Sequence, residues 1–293
     1  VTSCLVTGAA GMLGTDLVAT LTASGYDVTG ADRSALDITD AEAVRRAVAG
    51  HDIVFNAAAY TNVDGAESDE AAAVLINGTG AAIVAGAAAK AGALLIHVST
   101  DYVLPGDSAT PYAEDAGTSP INAYGRSKLI GERAVLAAGG HVVRTAWLYG
   151  DNGPNFAATM LRLAADRDTL DVVDDQHGQP TSASALAKQL TALAGAAQAG
   201  QAQPGIYHGT ASGSTTWHGF ARAIFELSGL DSRRIRPTTT DKFPRPARRP
   251  AYSVLGHARW AEAGLTPMAP WREALAAELA RPGFLALRTA AGG

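Results

Sequence analysis

Three glycines spaced GxxGxxG (Gly8, Gly11 and Gly14) follow the apolar run SCLVT and open a stretch with helical periodicity. A strand, a tight glycine turn and a helix, in that order, constrain this chain more than any other feature. Gly8 suits the turn, Gly11 admits backbone amides close to a pyrophosphate, and Gly14 lets the helix pack tightly on the strand. Met12 and Leu13 fall at the helix N-terminus, where oriented N–H groups and the helix dipole attract an anion. A glycine triplet in isolation fits a plain loop equally well. Its place at a first strand–helix turn is what points to a dinucleotide cradle.

The same rhythm continues downstream. Apolar runs at 3–7, 26–31, 52–56, 93–99 and 141–146 read as strands, with helical patterns at 11–23, 40–48, 69–91 and 122–138. Strands alternating with helices imply βαβ units and a parallel sheet. The strands are continuously apolar, as expected when helices cover both faces. The expected fold class is therefore α/β: a Rossmann-type doubly wound parallel sheet over residues 1–150. A smaller C-terminal α/β domain, mainly substrate-binding, is expected over 151–293, with later segments free to return to the sheet. Within it the sequence predicts a helix at 154–166, a strand at 170–173 and a helix capped by Ser182 or Ser184 through about 196. A short strand in GIYHGT, a helix capped by Thr215 or Thr216 and ended by Gly229, and a final helix around 271–280 complete it.

Hydrophobic residues make up 47% of the chain and charged ones 17%, enough for a full core and incompatible with disorder. A formal net charge of -5 argues against a nucleic-acid partner. The exception is FPRPARRP, whose Arg245, Arg248 and Arg249 form either a solvated loop or a clamp for an anionic substrate. Cys4 is the only cysteine and lies in an apolar run, so a buried, unreactive thiol is expected. The Ala-rich stretch from about 80 to 96 is broken by Gly86, Lys90 and Gly92 and reads as too weakly apolar for a membrane span. With a strand starting in the first few residues and no room for a signal segment, a cytoplasmic protein is expected.

Asp32 and Arg33 follow the second strand. A carboxylate there binds the ribose hydroxyls of NADH, whereas a guanidinium suits the 2′-phosphate of NADPH. Both are present, so either cofactor is allowed, with NADPH slightly ahead. Asp37 and Ile38 are placed to reach the adenine edge, or simply to start a helix. The third strand ends in Asn56 followed by Ala57, Ala58, Ala59 and Tyr60, small residues that let backbone lie against a cofactor or pack well in a core.

Tyr124 and Lys128 stand four residues apart in AYGRSKLIGE, which puts both on one helix face. A free phenol titrates near 10, and a neighbouring ammonium is expected to lower that value. Thr100 follows the fourth strand at the carboxyl edge of the sheet, where open α/β folds bind ligands, and its hydroxyl can hold a carbonyl oxygen near Tyr124. Glycine loop, Thr100 and the Tyr124–Lys128 pair together describe carbonyl reduction.

The set TGAAGMLG, NAAAYTNVD, STDYV, YGRSKLIGE, RTAWLYG, DDQHGQPT and PARRP resembles the extended short-chain dehydrogenase/reductases, and within them the dTDP-4-dehydrorhamnose reductase family. That resemblance covers nearly the whole chain. It implies a catalytic triad of Thr100, Tyr124 and Lys128, with Thr61, Val63 and Trp147 beside the sugar or nicotinamide. It also implies Arg249 near the nucleotide, Asn77 in the cofactor-side hydrogen-bond network, and a dTDP-linked 4-ketosugar as substrate. Some bacterial members dimerise around a magnesium site that includes an acidic residue just after the glycine loop. Here Thr15 follows Gly14, with Asp16 next, so no metal is expected and a homodimer is left open. Leu104 stands where an aromatic is usual. A dehydratase of this superfamily would carry Asp-Glu after the threonine. Asp101-Tyr102 disfavours that activity, whereas a non-catalytic cofactor-binding subunit stays as an alternative.

Overall fold

A computed structural model describes residues 1–292. Its main sheet has six parallel strands: β1 (Ser3–Thr7), β2 (Asp27–Ala31), β3 (Ile53–Asn56), β4 (Leu94–Thr100), β5 (His141–Thr145) and β6 (Gly205–His208). They lie in the order β6-β5-β4-β3-β1-β2. The chain steps outward from β1 to β2, then back across β1 to β3, and this reversal opens a crevice at the strands' carboxyl ends. The connecting helices are α1 (Met12–Ala23), α2 (Ala41–Val48), α3 (Glu70–Ala91), α4 (Ala123–Ala137), α5 (Phe156–Asp166) and α6 (Ala183–Gln198).

Alternation along each strand explains the continuous apolar runs. Cys4 and Val6 of β1 join one buried cluster with Leu13, Leu17 and Leu21 of α1 and Leu186, Leu190 and Leu193 of α6. Leu5, between them, joins the opposite cluster with Val44 of α2, Val84 of α3 and Val135 of α4. Both faces are covered, so both strand faces must be apolar. Burial pushes the Cys4 thiol up to about 12, consistent with an inert core residue.

β6 and α6 come from beyond residue 150 yet complete this sheet and one of its helix layers. The remaining C-terminal elements form a third cluster in which Phe220, Ile224 and Phe225 of α7 (Trp217–Leu227) pack with Leu161 of α5. Leu275 of α8 (Trp271–Glu278) and Phe284 of α9 (Pro282–Gly292) close it. A parallel pair, Leu170–Val173 with Ile235–Thr238, lies alongside.

Among the departures from the sequence expectation, three concern elements that it had placed. The helix expected over 69–91 contains a π-helical turn at Leu75–Gly80, in the glycine-containing stretch LINGTG. The C-terminus holds a second helix: Pro282 opens α9 at a first-turn position where its missing N–H costs nothing, so Arg281-Pro282-Gly283 joins two helices instead of ending one. Thr100 is the last residue of β4, not the first beyond it. One charged pair crosses the core: Arg144 on β5 donates to both carboxylate oxygens of Glu132 on α4, at 3.0 and 2.8 Å, with both side chains 1% exposed.

Candidate active site

A cavity of about 850 Å³ opens at the carboxyl ends of β1 to β5. Gly8, Gly11, Met12, Leu13 and Gly14 form one wall, and Ala57, Ala58 and Ala59 another. Gly8 holds φ +71°, and a Cβ there would meet the Ala58 backbone at 2.7 Å, so the first glycine serves both turn and close approach. A Cβ at Gly14 would stand 2.1 Å from the Gly8 carbonyl oxygen. Backbone there has nowhere to move. Gly14→Ala is expected to lower stability by about 1–3 kcal/mol and to abolish dinucleotide binding; chemical denaturation and cofactor titration check the two effects.

Asp32, Arg33, Asp37 and Ile38 line the far end of the same cavity. Asp32 Oδ1 accepts from the Ser34 and Ala35 amides and the Ser34 hydroxyl, which holds its carboxyl below the usual range. Asp37 is held down in the same way by the Thr39 amide and hydroxyl. Each aspartate therefore builds its own turn and stays ionised.

Tyr60 and Asn77 stand behind the wall rather than in it. Asn77 accepts from the Tyr60 amide at 2.8 Å, donates back to the Tyr60 carbonyl at 3.0 Å and donates to Ser127 Oγ at 2.9 Å. Ser127 in turn donates to the Tyr124 carbonyl. The π turn carries Asn77, which ties the alanine wall to α4. Gly131 allows this, since a Cβ there would meet the Asn77 carbonyl oxygen at 2.2 Å.

Tyr124 and Lys128 line the cavity opposite the glycine loop, together with Ser99 and Thr145. The last two were not anticipated. Their hydroxyls are buried and have no hydrogen-bond partner within the protein. Thr100 Oγ1 donates to Asp101 Oδ1 at 3.0 Å and accepts from the Tyr102 amide at 3.2 Å. Asp101 is 3% exposed, and burial pushes its carboxyl up to about 6, with the Ser253 and Thr100 hydroxyls working the other way. Its place directly after Thr100 was the available signal.

The phenol does not behave as its spacing from Lys128 suggests. Burial first, and then the Asp101 carboxylate, push Tyr124 well above the ordinary phenol value, with Thr100 working weakly the other way. Lys128 instead points its ammonium at the Val98 carbonyl oxygen, 2.7 Å away, and burial lowers its pKa to about 8. Burial beside Asp101 favours the protonated phenol, the form a proton donor needs.

A second cavity, about 690 Å³, is lined by Arg245, Arg248, Arg249, Phe243 and Trp217. Tyr102 lines it too, and packs edge-on against Tyr124 of the first cavity, ring centroids 5.8 Å apart. Asp64 holds Arg249 at 3.1 Å and Arg245 at 3.9 Å, on the short helix Val63–Ser68 that begins with Val63. Thr61 lines the first cavity, while Val63 and Trp147 line neither. Trp147 adopts φ +47° and stacks on Trp217 at 3.7 Å with an interplanar angle of 10°. Gly178 makes room for it, since a Cβ there would stand 2.5 Å from the indole. Trp217, which the sequence offered only as a helix start after Thr216, is the member of this stack that faces the arginines.

Comparison with known proteins gives a consistent result. Residues 2–282 match the family described as RmlD substrate binding domain. A dTDP-4-dehydrorhamnose reductase of Streptomyces griseus is 54% identical, over 92% of this chain and 91% of its own length. A dTDP-4-keto-6-deoxy-D-glucose reductase of Streptomyces niveus is 49% identical, over 92% and 94%. The crystal structure of a Bacillus anthracis dTDP-4-dehydrorhamnose reductase in complex with NADP superposes with a TM-score of 0.89 at 36% identity, over 95% of this chain and 98% of that one.

Proposed function

The chain belongs to the RmlD substrate binding domain family, and from that premise we propose that it is an NAD(P)H-dependent oxidoreductase of the dTDP-4-dehydrorhamnose reductase type. It reduces the C4 ketone of a dTDP-4-keto-6-deoxyhexose to the alcohol. One observation carries this reading: Tyr124 and Lys128 line the same cavity as the glycine cradle, and Tyr124 packs edge-on against Tyr102, which lines the arginine-lined cavity. A ketone at this contact meets a proton donor and a hydride source together.

The residues present fit a dinucleotide. The glycine loop packs too closely on the Ala57–Ala58 backbone for any side chain, and with the alanine wall and the Ser99 and Thr145 side chains it lines the cavity where a dinucleotide would lie. When bound, the reduced nicotinamide supplies the hydride. Tyr124 donates its proton to the developing alkoxide, and Thr100, turning its hydroxyl from Asp101 Oδ1, holds the carbonyl oxygen. Lys128 holds the nicotinamide ribose. Asp101, buried directly beside Thr100, accepts from a substrate hydroxyl. Asp32, Asp37 and Ile38 take the adenosine end, where Arg33 gives NADPH the slight preference. Tyr60 and Asn77 hold the wall in place. Thr61 and Trp217 flank the sugar, with Trp147 backing Trp217 and Val63 opening the helix that carries Asp64, and Arg249 with Arg248 faces its diphosphate. Residues 1–150, with α6 and β6, carry the cofactor, and the rest of 151–293 mainly carries the substrate. The enzyme works in the cytoplasm, alone or as a homodimer, on a small-molecule substrate.

Incubation with dTDP-4-keto-6-deoxyglucose, with and without a 3,5-epimerase, tests this. NADPH is consumed in at least one arm, and NMR of the product gives the configuration at C4. Consumption only without the epimerase favours the activity named for the Streptomyces niveus relative. No consumption in either arm contradicts the reductase reading and favours a non-catalytic cofactor-binding subunit.

A further inference from the structure

Behind Tyr124 and Lys128 a line of buried polar side chains crosses the sheet. Lys128 Nζ stands 3.5 Å from His97 Nε2 on β4. His97 Nδ1 is 3.0 Å from the Asn56 side-chain amide on β3, whose other end is 2.7 Å from Thr7 Oγ1 on β1. Thr7, Asn56 and His97 are each 1% exposed, and Lys128 is 2% exposed. Register places them together: Thr7 is paired with Asn56, and Asn56 with His97, across adjacent strands.

Hydrogen-bond chemistry fixes the direction of this line. An ammonium has only donors, so the nitrogen that faces it must accept. A neutral imidazole has one acceptor and one N–H, which leaves the proton on Nδ1. Burial and the Lys128 charge both hold His97 in that neutral form. In the structure Asn56 Nδ2 faces His97 Nδ1 and Asn56 Oδ1 accepts from Thr7 Oγ1. An Nδ1–H tautomer requires the amide flipped, with Oδ1 to His97 and Nδ2 to Thr7, an orientation that occupies the same volume. The line ends inside the sheet at Thr7, so it carries no proton to solvent. Its effect is to hold an imidazole still.

We propose that His97 is a positioning residue for Lys128: its Nε2 accepts from the ammonium, and Asn56 and Thr7 lock the imidazole into the tautomer that can do so. The proposal rests on reading Lys128 as the residue that holds the nicotinamide ribose. Few other charges bear on Lys128. Glu132, one helical turn along α4, favours the ammonium and is itself bound by Arg144 of β5, while Asp101 acts on Tyr124 from the end of β4.

Two variants separate positioning from space-filling. His97→Asn keeps an amide near Asn56 but is too short to reach Nζ, whereas His97→Gln extends an acceptor towards the place of Nε2. Losing the acceptor destabilises the ammonium, so His97→Asn moves the alkaline limb of the kcat profile to lower pH by about one unit. His97→Gln returns that limb towards its original position. In wild-type protein saturated with NADP⁺, ¹⁵N-histidine NMR finds His97 neutral with its proton on Nδ1. This spectrum needs neither turnover nor a folded variant, so it stands apart from the ketosugar assignment. A proton on Nε2, an unmoved limb in His97→Asn, or equal shifts in both variants would overturn the proposal.

Discussion

Tyr124→Phe is expected to lower kcat for ketosugar reduction by about 10²–10⁴-fold, the usual contribution of a positioned acid. The ring stays, so the edge-on contact with Tyr102 is preserved and NADPH binding is unchanged. KM moves little, because the lost interaction is made with the alkoxide of the transition state. Stopped-flow absorbance of NADPH under single turnover separates the two quantities. The effect is large because no neighbour can take over. Asp101 bears on the phenol but, with its carboxyl at about 6, is mostly ionised at neutral pH and has no proton to give, and Lys128 is directed to Val98 and His97. A Phe variant with near-normal turnover would remove Tyr124 from the chemistry.

The second large effect concerns stability. Glu132→Ala is expected to cost about 3–5 kcal/mol, because it leaves the Arg144 guanidinium buried without its counter-charge. Arg144 Nη1 already lacks a partner, so the wild-type pair has no reserve of hydrogen bonds to fall back on. Replacing both residues, as Glu132→Leu with Arg144→Met, is expected to recover most of that loss, since an apolar pair has no desolvation penalty to offset. Urea unfolding of the two single variants and the double variant measures the coupling. Additive losses in the three would show that the pair does not act as a unit.

Much of the fold is legible in the chain because its signals are local. The glycine loop needs backbone space, which Gly8 and Gly14 provide and no other residue could. Cys4, Leu5 and Val6 announce a strand covered on both faces before any helix is placed. Contacts made at long range are less legible. Two-residue ladders such as His177–Gly178 with Thr215–Thr216 have too little length for a periodic pattern and form only because the surrounding helices bring them together. The left-handed backbone at Trp147 belongs to a bulky residue that seldom adopts it, and only the Trp217 stack and the space over Gly178 account for its presence.

The site divides in the same way. Spacing brought Tyr124 and Lys128 to one helix face, but spacing carries no information on dielectric. Burial beside Asp101 raises the phenol, where a bare YxxxK suggests a lowered value. His97 reads in sequence as one more residue of a buried strand. Its significance appears only when register sets it between Asn56 and Lys128.

The central claim is that hydride is delivered to a sugar ketone in the cavity shared by the glycine loop and Tyr124. NADPH deuterated at nicotinamide C4, on the transferred face, tests it most directly. After turnover with a dTDP-4-keto-6-deoxyhexose, NMR is expected to show deuterium at sugar C4 in the product, with NADP⁺ formed in equal amount. Product that carries no deuterium at C4, or sugar altered without net oxidation of NADPH, would contradict it.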